Sequence, residues 1–381
     1  MKKMMSLDSF LTEYIERNDN NQYIPVAVGR YGIRKREDIY SKELAKDYSK
    51  NKLIFKDTLT VGMGSVQMDI GVLVEQEIYS VSPAYHTYRI ASIDSSYLKY
   101  CLECRNMDMF SRYVKRGSRQ GKSIDLKRWL TYEIPVCSEE EQRRIVGKID
   151  FVERLIVNLN QEIKLMDDIV KSRFVEMFGN PVRNPKGWKT CKLEDCLERI
   201  DNGKSFVCSD KARTDDYPAV LKLSAATYGD YRPYENKALL NEKMFVESAE
   251  VHKGDLLFTR KNTPELVGMA AYVLETPANL MMPDLIFRLV PNEKMDSMFL
   301  WQLINCREFR PVIQSVSGGS AKSMSNISKE RLGKIPVICP PRELQDELIP
   351  FIQQTDKSKH CVRNDLLSCL RRQVLNKSYR R

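Results

Sequence analysis

The chain has little of what a membrane protein, a zinc protein or a secreted disulfide protein requires. No apolar run approaches the roughly 20 residues needed to span a bilayer. The opening residues, Met1-Lys2-Lys3-Met4-Met5-Ser6, lack the apolar core of a signal peptide, so a cytoplasmic protein that avoids membranes is expected. Histidine is confined to His86, His252 and His360, remote from one another. The lone Cys101-x-x-Cys104 therefore has no second pair and no histidines at ligand spacing to complete a zinc site. The 10 cysteines are scattered through a long chain and read as packed thiols that a cytosol keeps reduced. No metal site is expected.

Catalytic signatures are lacking as well. A phosphate-binding loop needs four residues between its two glycines, yet Gly117 and Gly121, ahead of Lys122-Ser123, enclose only three and follow no apolar strand. For a methyltransferase, Gly62-Met63-Gly64 is too short a glycine turn. Asn180-Pro181-Val182 and Asn184-Pro185-Lys186 have the wrong third residue for a loop that holds a target amine. A metal-dependent nuclease would need an acidic-x-Lys partner close behind Pro283-Asp284, and none follows. The expectation is a chain with no catalytic residues and no bound cofactor.

What is present is length, positive charge and repetition. At 381 residues the chain is too long for one compact core and suits two domains. Its net charge of +10 favours an acidic partner, nucleic acid first. Asp94-Ser95-Ser96-Tyr97-Leu98 through Cys104-Arg105 returns as Asp296-Ser297-Met298-Phe299-Leu300 through Cys306-Arg307, and Ile134-Pro135-Val136-Cys137 with Gln142 returns as Ile335-Pro336-Val337-Ile338-Cys339 with Gln345. A period near two hundred residues is far longer than a solenoid unit; it is a duplicated domain plus connector.

The connector carries the strongest local pattern. Ile145, Ile149, Val152, Ile156, Leu159, Ile163, Met166 and Val170 alternate at spacings of four and three, a heptad seam, and predict one coiled-coil helix over 138–179. Ser138 with Glu141 supplies a capping box at its start, and Gly179-Asn180-Pro181 a stop. The corresponding seam of the second connector, 338–381, reads Leu348, Ile352, Thr355, Lys359, Val362, Leu366, Cys369 and Gln373, helical in register but polar in places. The expected fold is α+β: two similar mixed domains over 1–137 and 180–337, each closed by an amphipathic helix (Tyr97 to about Tyr113, Phe299 to about Val316). They are joined by two long antiparallel coiled-coil helices in a pseudo-two-fold repeat. From Ile145 to Val170 such a helix rises about 38 Å, close to the roughly 34–36 Å of one DNA turn.

Basic residues interleaved with aromatics and glycine mark candidate DNA contacts. They are Arg30, Arg34, Lys35, Arg36, Lys115, Arg116, Arg119 and Lys122 in the first half. In the second they are Lys204, Lys211, Arg213, Tyr228, Tyr231, Arg232, Arg260 and Lys261. Arginine can grip a guanine edge with two hydrogen bonds, while lysine mostly neutralises phosphate.

Several of these phrases, Ile335 through Gln345, Ile134-Pro135 with Glu140 through Ile145, and Met177-Phe178-Gly179-Asn180-Pro181 with Gly187-Trp188, are very similar to the DNA specificity subunit of type I restriction-modification systems. Gly254-Asp255-Leu256-Leu257-Phe258-Thr259-Arg260 resembles that family's strand and loop. The resemblance implies two target-recognition domains that read the halves of a split, asymmetric site in double-stranded DNA. It also implies helices that serve as ruler and as docking surface for two modification (methyltransferase) subunits. S-adenosylmethionine would reside on those subunits, which methylate adenine, and ATP and Mg likewise on partners, with restriction/translocase subunits doing the cutting. The chain departs from the family pattern in lacking a Gly-Trp entry to the first domain and in carrying Pro350 within the second helix. The competing reading is an autonomous two-domain DNA-binding or scaffold protein without modification partners, which predicts tight DNA binding by the isolated chain.

Overall fold

The computed structural model describes residues 3–39, 47–117, 121–318 and 324–378, with side chains described for all of these except 116, 117, 360 and 363–378. The chain is a mixed α+β protein that divides into two compact units, Met1–Ile156 and Val157–Arg381; the division falls inside a single long helix.

In chain order the first unit forms β1 (Lys3–Ser6), β2 (Leu11–Glu13), β3 (Val26–Gly29), β4 (Gly32–Lys35), β5 (Lys52–Ile54), β6 (Thr58–Met63), β7 (Met68–Leu73), β8 (Tyr79–Val81) and β9 (His86–Ile90). It continues with α1 (Ser95–Tyr113), β10 (Val114–Gly117), β11 (Gly121–Ile124), α2 (Leu126–Leu130), β12 (Glu133–Val136) and the start of α3 (Glu139–Phe178). Its main sheet is antiparallel in the order β2-β9-β6-β7. Fully buried Leu7, Leu59, Val61, Leu98, Trp129 and Ile134 fill its core. β1 pairs with β12, so the two ends of the domain close on each other.

The second unit forms β13 (Thr190–Lys192), β14 (Leu197–Asn202), β15 (Ala219–Leu221), β16 (Asn236–Ala238), β17 (Leu256–Thr259), β18 (Lys261–Asn262), β19 (Ala270–Tyr272), β20 (Leu280–Met281) and β21 (Ile286–Pro291). Then come α4 (Ser297–Asn305), α5 (Arg310–Ser315), β22 (Ser325–Asn326), α6 (Lys329–Gly333), β23 (Pro336–Ile338) and α7 (Arg342–Ser378). Its main sheet runs β14-β21-β17-β19, again antiparallel, and β13 pairs with β23. The apolar runs Leu256-Leu257-Phe258 and Ile286-Phe287 are neighbours in that sheet. The helix expected from Phe299 to about Val316 is instead two, α4 and α5, separated by a turn. Pro311 sits in the first turn of α5, where its missing N–H costs nothing, whereas in a continuous helix it would break a hydrogen bond and clash.

The end of α3 belongs to the second core. Val170, Phe174 and Phe178 cluster with Phe299 of α4 and with Leu348 and Ile352 of α7. Phe178 stands edge-on to Phe299 at 4.8 Å between ring centroids. The helix begins with Ser138 Oγ accepting the amide of Glu141 at 3.4 Å and ends at Gly179, whose φ of +76° provides the left-handed cap. All eight seam positions from Ile145 to Val170 are buried or half-buried, while most residues between them are exposed. On α7, Leu348 and Ile352 are buried and Val362 is half-buried; the side chain of Leu366 lies outside the described residues. The polar seam residue Lys359, 8% exposed, ion-pairs with Asp167 of α3 and with Asp356 at 3.1 Å, so α3 and α7 touch.

Candidate nucleic-acid interface

In the first unit the β3–β4 hairpin turns through Arg30-Tyr31-Gly32, with Gly32 at a φ of +74° that favours glycine. Tyr31 is 73% exposed, and the guanidinium carbons of Arg30 and Arg34 lie 5.9 and 5.4 Å from its ring centroid. The ring thus spreads two cations over a flat aromatic face. The hairpin lies on β7 only because residue 71 is glycine. A Cβ there would meet Ile33 at 2.5 Å.

Beside it, the β6–β7 turn is held by Lys122, whose Nζ donates to the carbonyl of Ser65 at 2.6 Å. Asp69, its carboxyl pushed upward by burial, borders both Gly64 of that turn and Gly29 of the hairpin. The Arg30–Tyr31–Arg34 tip and Lys122 therefore flank one turn. Arg36 packs 5.7 Å from the Tyr48 ring, and Lys35 is half-buried on β4. Lys115 pairs with Asp125 at 2.7 Å and holds that carboxyl below its usual range. The backbone of Arg116 pairs with Lys122, and Arg119 lies outside the described residues.

The second unit gathers its candidates around β18. Arg260 lies over the Phe287 ring at 4.8 Å and donates through Nη2 to Asn326 Oδ1 at 3.3 Å, while its buried Nε finds no partner among the described residues. Lys261 faces Asp284 at 4.0 Å, which accepts from Ser205 at 2.5 Å, next to exposed Lys204. Asn262 donates to Thr227 at 3.1 Å, tying in the loop where Arg232 stacks 4.6 Å from the half-exposed ring of Tyr228. Arg232 also pairs with Asp230 at 3.1 Å.

Of the other three candidates, Arg213 and Tyr231 have side chains engaged elsewhere. Arg213 donates to the carbonyl of Ala278 at 2.7 Å, with its side chain nearly buried. Exposed Lys211 stands beside β16. Tyr231 bonds Thr276 at 2.7 Å, its hydroxyl pushed up to about 12 by burial. Sequence reasoning did not single out Tyr31 as the platform for Arg30 and Arg34, although its place between them was visible.

Outside these loops, each unit has a buried glutamine at the start of its long helix. Gln142 accepts the amide of Asp94, the cap of α1, at 3.0 Å; Gln345 accepts that of Asp296, the cap of α4, at 2.8 Å. These four residues are landmarks of the sequence repeat.

Residues 185–366 match the family described as the type I restriction modification DNA specificity domain. The specificity subunit of the type I restriction enzyme EcoEI from Escherichia coli is 30% identical over 196 residues, 51% of this chain and 33% of that subunit. Family model and curated relative agree in likening this chain to a type I restriction-modification DNA specificity subunit. The match spans about a third of the length of that curated relative. The fold is similar to the crystal structure of the type I restriction-modification S subunit from M. genitalium, with a TM-score of 0.51, 12% identity, and coverage of 97% of this chain and 92% of that one. Specificity subunits are DNA-binding and non-catalytic and carry no catalytic cofactor themselves. No helix among the described residues is long and apolar enough to cross a membrane.

Proposed function

We propose that this chain is the address-reading subunit of an intracellular type I restriction-modification complex, with each half reading one part of a split, asymmetric DNA site. The recognition domains are 1–137 and 180–337. The helices 138–179 and 338–381 pair antiparallel, relate the two halves by a pseudo-two-fold repeat, set the distance between half-sites and dock two methyltransferase subunits; restriction/translocase subunits complete the complex. S-adenosylmethionine, ATP and Mg act on those partners.

The observation that carries this reading is the specificity-domain match over 185–366. The Tyr31 platform with Arg30 and Arg34 and the incompletely bonded Arg260 supply donors of the kind that read guanine edges. Support for the helix pair comes from the meeting of Asp167 with Lys359. An exposed apolar strip on α3, Phe151, Leu165 and Ile169, offers a surface for a partner subunit.

The test is an exchange of residues 180–337 for the matching domain of another specificity subunit, followed by methylome sequencing of the host. One half-site should be replaced and the other kept, with the spacer unchanged. Replacement of both half-sites, or methylation that persists without the gene, would overturn the proposal.

A further inference from the structure

Three cysteines distant in sequence meet in the second unit. Cys191 lies on β13, Cys196 closes the 3-10 turn that follows, and Cys339 comes one residue after β23. The antiparallel β13–β23 pair makes the meeting, with Cys191 opposite Val337 and the Cys339 amide donating to Lys189 at 2.7 Å. Cys196 Sγ lies 3.0 Å from that of Cys191 and 3.2 Å from that of Cys339, Cys191 and Cys339 are joined in the structure, and all three sulphurs lie within 4.8 Å of one another. Cys196 is fully buried, the other two half-buried.

The first unit provides an internal control. Counted from the leucine that opens each 3-10 turn, Leu7 and Leu193, the places of Cys191 and Cys196 are taken there by Met5 and Phe10; Met5 pairs with Ile134 as Cys191 pairs with Val337, so Cys339 corresponds to Val136. Ordinary apolar packing therefore suffices at this corner of the frame. The second unit has instead concentrated three soft ligands.

We propose that, with its thiols free, the second unit holds one structural thiophilic d10 cation, of which Zn2+ is the biological example, on the sulphurs of Cys191, Cys196 and Cys339. Zinc–thiolate bonds of about 2.3 Å at tetrahedral angles put sulphurs about 3.8 Å apart. The three already lie inside that spread and need only open. A two-electron reductant, a dithiol or a phosphine, first cleaves the Cys191–Cys339 S–S bond to two S–H groups; binding then breaks three S–H bonds, forms three metal–sulphur bonds and releases three protons to solvent. The resulting net negative charge is offset by Lys294, whose Nζ is 3.3 Å from the carbonyl of Asp195, beside Cys196. The half-exposed side of the cluster leaves the fourth position to water. Such an ion would fasten both ends of the domain together at the entry to α7.

The test uses the full chain, reduced with a phosphine, freed of reductant and chelator, and titrated with Cd2+ as the probe. One equivalent should bind, with a thiolate-to-cadmium charge-transfer band in the ultraviolet. Both should be lost in Cys196→Ala and in the half-buried Cys191→Ala, and kept in Cys101→Ala. The circular dichroism of Cys191→Ala, expected to match the parent, separates loss of ligand from loss of fold. Absence of the band in the reduced parent, its persistence in both cluster variants, or a Cys191–Cys339 bond that survives reduction and leaves no metal bound would each overturn the assignment.

Discussion

In both units a four-stranded antiparallel sheet has the same order, its domain ends are closed by a two-stranded pair, and a glutamine from the following long helix caps the cap of the domain's own helix. A side-chain amide also clasps the backbone of the matching edge strand in each: Asn106 exchanges two hydrogen bonds with Met68 of β7, and Asn305 two with Ala270 of β19. The loops above these frames differ. In the first unit Arg34 stands exposed beside Tyr31; in the second Arg260 is sunk between Phe287 and Asn326. What the halves share therefore holds the frame, and what distinguishes them lies in the loops that the proposed function assigns to DNA.

The largest effect that would sharpen the comparison comes from the glutamines. Gln345 is fully buried, accepts from Asp296 and donates to the carbonyls of Lys294 and Pro340 at 3.0 and 2.9 Å; Gln142 accepts from Asp94 and, among the described residues, donates to the carbonyl of Cys137 alone at 2.8 Å. Stranding buried backbone groups costs about 1–3 kcal/mol each when they cannot rehydrate. Gln345→Ala should therefore destabilise its unit by about 3 kcal/mol and Gln142→Ala its own by about 2 kcal/mol. Hydrogen exchange read separately over each unit measures both. Equal losses, or a loss that spreads evenly over the chain, would break the equivalence.

The heptad seam, the caps and the repeated landmarks were legible because they are local: a period, a start signal and a stop signal lie within a few residues. The clasps were not. Asn106 and Asn305 occupy different places in the aligned repeat, and nothing in either neighbourhood announces which strand each will bracket. Arg288, within an apolar stretch, proved to be a nearly buried cation paired with Asp255 at 2.9 Å, a partnership made only by neighbouring strands. The cysteine cluster was hidden for the same reason: spacing says nothing of the β13–β23 pairing that assembles it. Among the candidate DNA residues, composition marked the loops but could not separate Arg213, spent on a carbonyl, from Arg34, whose side chain makes no hydrogen bond among the described residues.

The exposed and the sunken arginine give the next contrast. Arg34→Ala should leave folding unchanged and cost about 1–3 kcal/mol in binding to the cognate site if the contact is bidentate to a base. Arg260→Ala should show a similar loss on DNA and also lower stability, because its guanidinium is packed on Phe287 and bonded to Asn326. Binding titrations on cognate and scrambled duplexes at several salt concentrations, alongside denaturation, test both. Uniform weakening on every sequence with a shallower salt slope would make either one a phosphate contact.

The smallest effect is nil at neutral pH and appears only in alkali. Burial pushes Tyr14, Tyr88 and Tyr132 of the first unit up to about 12, and raises Tyr97 and Tyr100 as well. Tyr100 also donates to Asp150 at 2.6 Å and Glu153 at 3.0 Å, bonds that a phenolate cannot make. In the second unit, among the described residues, burial pushes Tyr231 up to about 12 and Tyr272 upward. A phenol whose folded pKa exceeds its unfolded value of about 10 stabilises the fold fully below that pH. Its contribution is lost as the pH rises through the folded value. With more such phenols in its core, the first unit should open at lower pH than the second as the solution is taken from pH 10 towards 12. Hydrogen exchange after brief alkaline exposure, followed unit by unit, reads the order. The reverse order would mean that the first unit's tyrosines are reached by solvent without unfolding, and that the tighter core belongs to the unit holding the end of α3.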